Sequence, residues 1–170
     1  GALNSPVLAD YQRSRLTAFV NPGDKSNKAL YNIEQSQQAI ANGRLTGQGL
    51  FDGPQTKLGF VPEQQTDFIF TAVAEQFGFI GSATVLLLYG LLCYRIWRIA
   101  QVAKDSFGTF VCVGVLAMFA FSAFENVGMA MGIMPVTGIP LLLISAGGSS
   151  TITALAGLGL VLNVHMRRFQ

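Results

Sequence analysis

Charge is what this 170-residue sequence has least of. Asp, Glu, Lys and Arg together make up 12% of it, about half the share of an ordinary soluble domain. Net charge is only +2. That is too small to argue for a nucleic-acid partner, no RNA- or DNA-binding motif stands beside it, and none is expected. Histidine and cysteine are scarce too: one His, His165, and two Cys, Cys93 and Cys112, both inside apolar runs. A disulfide framework or a zinc cluster has no support, and the two thiols read as small buried hydrophobes. No internal repeat is present, and the Gly-rich stretch at Gly43, Gly47 and Gly49 follows no predicted strand, so it is not a nucleotide fingerprint.

What is abundant is hydrophobicity, 51% of residues at a mean hydropathy of +0.45, and it is unevenly spread. Residues 1–60 are polar and hold Arg13, Arg15, Lys25, Lys28, Arg44 and Lys57, more than half of the cations. Within them Asn21-Pro22-Gly23-Asp24 marks a turn. Residues 28–41 predict a modest amphipathic helix with Leu30, Ile33, Ile40 and Tyr31 on its apolar side. From Phe68 to Tyr94 the only charge is Glu75. A spanning helix needs about 20 apolar residues at ~1.5 Å each, so 68–94 predicts a first span. Residues 95–105, RIWRIAQVAKD, read as a short basic connector, and 106–131 as a second span interrupted by Glu125-Asn126. Residues 132–149 are apolar but carry Pro135, Pro140 and several Gly, which argues against a helix. Irregular backbone at membrane depth must be buried in protein or line a cavity. Ser149 or Ser150 is placed to cap a third span, 150–166, before a tail at 167–170.

The fold class expected is therefore all-α, a polytopic membrane bundle of about three transmembrane helices with a large extracellular loop region over 1–67. The chain opens GALNSPVLADYQRSRL without an initiator Met, as the interior of a longer membrane protein would. Arg95, Arg98, Lys104, Arg167 and Arg168 share one side, while 132–149 has no Lys or Arg. By the positive-inside rule the C-terminus is cytoplasmic and Asp67 lies outside.

Two carboxylates stand out. Asp67, at the edge of the first span, has an ordinary reading as a helix-start acid. Glu75 lies eight residues further, roughly on the same face and about 12 Å deeper. An ionisable group at that depth is a functional candidate, with a buried polar lock to another helix as the alternative. Glu125-Asn126 reads as helix packing or an internal hydrogen bond, and His165 as an interface residue. Ser145, Ser149 and Ser150 have no His or Lys at a nucleophile's spacing. Ser149, Ser150 and the amides at Gly147-Gly148 offer either a phosphate contact at a helix N-terminus or a helix cap.

Four blocks in order resemble the SEDS family, the membrane glycosyltransferases of the RodA and FtsW type that polymerise bacterial peptidoglycan. Tyr11-Gln12-Arg13-Ser14-Arg15-Leu16 with Phe19 and Pro22 is similar to YQxxRLxxFxxP. Gly47-Gln48-Gly49-Leu50 with Gln55-Thr56-Lys57-Leu58-Gly59-Phe60 is similar to GxGLxxGxQxxLGF. Residues 61–70 are similar to xPExHTDFIF, and 126–150 to NIGMxxGxxPVTGIPLPxxSYGGSS. The resemblance covers nearly the whole chain, as the C-terminal part of a protein of about ten spans. It implies that Asp67 is the catalytic carboxylate, a general base toward the acceptor sugar hydroxyl, or alternatively a metal ligand. It implies transfer of a glycan from its undecaprenyl pyrophosphate carrier to lipid II, a divalent cation (Mg or Mn), a class B penicillin-binding protein as partner, and the bacterial plasma membrane as location. Lys57, Glu63, Thr66, Glu75, Ser149 and Ser150 are the substrate-binding candidates. Gln65 replaces the family's His, Gln76 its second Glu, Ala146 its Tyr and Leu142 its second Pro. The block Pro135 to Pro140 is similar to the elongation branch, RodA. Two other readings stay open: a lipid II flippase, for which Glu75 outranks Asp67, and a scaffold for the penicillin-binding protein, for which small-residue helix faces outrank both.

Overall fold

In the computed structural model, residues 28–49 and 67–167 are described. They form four helices and, among these residues, no strand: α1, Lys28–Gly43; α2, Ile69–Gln101; α3, Ser106–Ala130; and α4, Gly148–Arg167. The last three are long and apolar enough to cross a membrane.

α1 buries Leu30, Ile33, Ser36 and Ala39, while Tyr31 is exposed, so Tyr31 is not on its packed side. The buried stripe carries a polar lock. Ser36 Oγ donates to the carbonyl of Ala130 at 2.9 Å and pairs with Thr71 Oγ1 at 2.6 Å. Since the Ser36 proton is committed to Ala130, Thr71 donates to Ser36. Gln37 Nε2 donates to the Met131 carbonyl at 2.9 Å. The last carbonyls of a helix have no partner inside it, and α1 supplies two of them for α3.

α2 is not one uninterrupted span. Gly78 has φ 66 and ψ −160, a conformation open essentially to glycine alone. The break leaves backbone groups without helical partners, and the turn after α1 takes them up. Phe79 and Ile80 amides donate to the carbonyls of Arg44 and Leu45 at 2.9 and 3.2 Å. Gln48 and Gly49 amides donate to the carbonyls of Glu75 and Gln76 at 3.0 and 3.1 Å. Ser82 Oγ donates to the Gly78 carbonyl at 2.9 Å. So close an approach needs bare backbone on both sides: a Cβ at Gly43 would overlap the Ala74 carbonyl, and one at Gly78 the Gly47 amide. Residues 79–101, at ~1.5 Å each, reach about 34 Å and cross a hydrocarbon core of about 30 Å unaided.

The expected connector at 95–105 is corrected as well. Its first residues continue α2 to Gln101. Nothing in RIWRIAQ breaks a helix, and Ile96 and Ala100 extend the buried seam against Cys112, Val115 and Phe119 of α3. Only 102–105 connect. α3 ends at Ala130 in a Schellman turn: Ile133 N donates to Gly128 O at 2.8 Å and Gly132 N to Met129 O at 3.1 Å, with Gly132 at φ +75. Residues 131–147 are turns and coil. We call them the strap. α4 begins at Gly148, which puts Ser149 and Ser150 inside its first turn rather than at its cap. Small residues let α4 approach α3: Gly157 lies against Val115 and Met118, and Gly108 against Val164.

Gly78→Ala should therefore cost at least about 1–3 kcal/mol through backbone strain alone, before the overlap with Gly47. Gly90→Ala is the control. A Cβ at Gly90 has nothing within 4 Å, and a helical Gly→Ala change is neutral or favourable by up to ~1 kcal/mol. Thermal unfolding in one detergent compares the two. Equal melting temperatures would sink the account of the break.

Candidate active site

Asp67 stands just ahead of α2. The helix N-cap is Phe68, and no side chain caps it. The helix-start reading of Asp67 thus has no capping bond behind it. Among the described residues nothing hydrogen-bonds to the half-buried Asp67 carboxylate.

What holds Asp67 is its backbone and its neighbour. Phe68 is 2% exposed and packs with Ile33 of α1, Met129 of α3 and Val136 of the strap. Asn126, on α3 and fully buried, donates through Nδ2 to the Asp67 carbonyl at 2.7 Å and to the Ile139 carbonyl at 2.9 Å. The two carbonyls therefore lie within two hydrogen-bond lengths of each other. One amide ties the start of α2 to the strap's PVTGIP stretch. One turn earlier on α3, Ser122 Oγ donates to the Pro140 carbonyl at 2.8 Å and accepts from the Leu142 amide at 3.3 Å. Glu125 accepts from Thr137 Oγ1 at 2.9 Å, and Ser145 Oγ accepts from the Leu141 amide at 2.9 Å. The strap is thus held along its length by polar side chains of α3 and by its own serine.

The other candidates divide. Glu75 is fully buried, at the far end of segment 69–77 beside the Gly78 break. Ser150 Oγ donates to the Gly147 carbonyl at 2.8 Å, and Ser149 is exposed on the first turn of α4. Lys57, Glu63 and Thr66 lie outside the described residues. An apolar cavity of about 410 Å³ lies along segment 69–77 and the break, lined by Phe70, Ala74, Phe79 and Leu86 with Arg44 as its one charged group. Among the described residues no three His, Cys, Asp or Glu side chains gather as a metal cage. A site built on one carboxylate still fits Mg²⁺, which keeps its waters and takes phosphate oxygens beside one or two carboxylates. Asp67, part-exposed just ahead of α2, is a described carboxylate that could serve it.

Sequence reasoning missed the break at Gly78 and the lock at Ser36. A glycine within an apolar run is a weak signal of a break. A serine on a helix's packed side gives no sign of which carbonyl it will meet.

A protein-family model described as Cell cycle protein, FTSW_RODA_SPOVE, matches residues 2–170. The chain is 45% identical over 162 residues to the peptidoglycan glycosyltransferase RodA of Treponema pallidum, covering 95% of this chain and 37% of that one. It is 41% identical over 162 residues to the peptidoglycan glycosyltransferase MrdB of Escherichia coli K12, covering 95% and 44%. It is 42% identical over 164 residues to the stage V sporulation protein E of Bacillus subtilis, covering 96% and 44%. Among solved structures, a chain of a peptidoglycan synthase complex that coordinates polymerization and crosslinking superposes with a TM-score of 0.76 at 37% identity, over 97% of this chain and 44% of that one. The rod shape determining protein RodA of Thermus thermophilus gives 0.60 at 42%, over 74% and 39%. The chain spans less than half the length of these curated relatives.

Asn126→Leu removes both bonds of the tie, each to a part-buried carbonyl, at about 0.5–1.5 kcal/mol apiece. Thr153→Val on α4 loses one exposed hydroxyl bond, to the Ser149 carbonyl, and should change stability by no more than ~0.5 kcal/mol. Melting temperatures in detergent test the ranking. A Thr153→Val loss equal to or larger than that of Asn126→Leu would contradict it.

Proposed function

The chain belongs to the FtsW, RodA and SpoVE family of cell cycle proteins, and from that membership we propose that it carries the catalytic carboxylate of a peptidoglycan glycosyltransferase that polymerises lipid II. It is a multi-pass membrane protein by its three apolar helices and its family. The observation that carries the proposal is the state of Asp67: half-buried, uninvolved in capping, unbonded among the described residues, and held in place through its backbone. The curated relatives named as peptidoglycan glycosyltransferases support the reaction class.

In the reaction, a sugar hydroxyl of lipid II attacks the anomeric carbon of the glycan held on undecaprenyl pyrophosphate. A new glycosidic C–O bond forms and the C–O bond to pyrophosphate breaks. Asp67 takes the proton from the attacking hydroxyl as it becomes nucleophilic. A divalent cation, Mg²⁺ or Mn²⁺, when bound would neutralise the charge gathering on the departing pyrophosphate. The cavity beneath Arg44, apolar with one cation, suits the boundary between a polyprenyl chain and its pyrophosphate. Lys57, Glu63 and Thr66 join the substrate contacts by resemblance, and Ser149 is exposed for one. Glu75 is a supporting group rather than a substrate ligand in this reading, because it is fully buried.

Asp67 faces the outside of the bacterial plasma membrane, with the C-terminus in the cytoplasm. Two cavities at one end support that orientation, one lined by Lys104 and Arg167, the other by Arg95 and Arg98, while the strap carries no cation. A class B penicillin-binding protein is the partner, in line with the synthase complex whose chain superposes. Cell-wall elongation is the favoured role, from the likeness of the Pro135 to Pro140 block to the RodA branch; identities of 41% to MrdB and 42% to stage V sporulation protein E leave that block to carry it.

The test is polymerisation of purified lipid II by the natural full-length protein with its partner. Asp67→Asn should lower the rate by at least ~10²-fold, the low end for a lost general base, with membrane insertion unchanged. Polymerisation near the wild-type rate would return Asp67 to a structural acid. Chelation with EDTA should suppress synthesis and added Mg²⁺ restore it; activity indifferent to chelation would remove the cation from the scheme.

A further inference from the structure

At the end of the bundle away from the strap, α2 and α4 finish side by side. Between them lies a cavity of about 460 Å³ lined by Tyr94, Arg95, Arg98, Ile99, Val102 and His165. That is the size of a site for a small ligand or headgroup. No acidic residue lines it. Among the described residues neither guanidinium has a carboxylate partner, and the one polar contact of Arg98 is a long hydrogen bond of 3.4 Å to Tyr94 Oη. Arginines at a helix end ordinarily do no more than set topology and meet water. Three further features point past that reading.

The first is depth. Arg95 and Arg98 lie in the last two turns of a segment whose length matches the hydrocarbon core, so the cavity sits where lipid headgroups lie. Tyr94 and Trp97 flank it, rings 6.1 Å apart and tilted, as aromatic side chains do at a membrane interface. The second is what runs beneath it. Leu87 and Leu91 are exposed and precede Tyr94 and Arg98 at steps of four, three and four residues, so they share their side of the helix. Leu162, exposed on α4, stands one turn before His165. An acyl chain hanging from the cavity would meet leucine from both helices. A soluble phosphate has no use for that wall. The third is the field: the neighbouring cavity adds Lys104 and Arg167 against a single acid, Asp105.

We propose that Arg95 and Arg98, with His165 across the gap, form a binding site for the phosphodiester headgroup of an anionic diacyl phospholipid. The two guanidiniums bond the phosphate oxygens in forked pairs, and the acyl chains lie along Leu87, Leu91 and Leu162. The site joins α2 to α4 through the lipid. It is separate from Asp67 and does not depend on the glycosyltransferase reading.

The test is native mass spectrometry of the natural full-length protein in mild detergent, titrated with phosphatidylglycerol, with phosphatidylcholine of the same chains, and with inorganic phosphate. Wild type should retain phosphatidylglycerol over phosphatidylcholine. Arg95→Gln with Arg98→Gln should weaken that retention by about tenfold or more, the loss expected for two charged hydrogen-bond donors. Asp67→Asn should retain the lipid like wild type. If the paired variant does not purify folded, Arg98→Gln alone should still weaken retention severalfold. Equal retention by wild type and variant would overturn the proposal, as would equal retention of the two lipids. Displacement of phosphatidylglycerol by millimolar inorganic phosphate would also overturn it, and would assign the cavity to a soluble phosphate instead.

Discussion

The fold around the candidate site depends on one side-chain amide. Asn126 Nδ2 bonds the carbonyls of Asp67 and Ile139 at once, and both belong to backbone outside the helices. In the interior of a membrane protein a carbonyl without a donor costs several times what a net hydrogen bond gains. Both tied carbonyls are part-buried, and irregular backbone at membrane depth persists where side chains complete it. The Asn126 amide has two protons and uses both. Leucine has none, and a hydroxyl would have one. The strap and the start of α2 are therefore fixed with respect to each other by a group on a third element, α3, and the Asp67 carboxylate inherits that position while its own oxygens stay unspent.

The same economy governs the other irregular point. The break at Gly78 would strand two amides and two carbonyls, and the turn at 44–49 offers complementary groups in register. The two irregularities make each other possible. The approach is so close that Gly43, Gly47 and Gly78 leave no room for a Cβ. α1, which ends at this junction, also caps α3 through Ser36 and Gln37. A short amphipathic helix outside the spans thus holds the ends of two of them, which explains why its packed stripe contains a serine.

How far the sequence could be read follows from which forces are local. Apolar runs announce membrane-crossing helices because the bilayer selects on length and composition alone. The prolines and glycines of 132–149 announce irregular backbone because they act through their own φ and missing amides. Helix ends are harder. Arg95 and Arg98 suggest a connector, yet charge does not stop a helix whose next residues still pack, and Ile96 and Ala100 do. Gly78 was illegible as a break because the partner that makes the break tolerable lies some thirty residues away. At Asp67 the residue type and motif were legible, but not the missing cap or the tie through Asn126.

Three carboxylates near the strap and the break then sort themselves by what surrounds them. Glu125 is buried and accepts a hydrogen bond from Thr137, so its side chain is engaged inside the bundle and serves the strap. Glu75 is wholly buried at a seam where backbone packs on backbone. A path for a translocated headgroup would need both to face open water, and neither does. Asp67 alone is part-exposed, unbonded among the described residues, and positioned by atoms other than its own carboxyl oxygens. A general base must be held without being neutralised by what holds it. Gripping Asp67 by its carbonyl and by the ring of its neighbour Phe68 meets that requirement, and gripping it by its carboxylate would not.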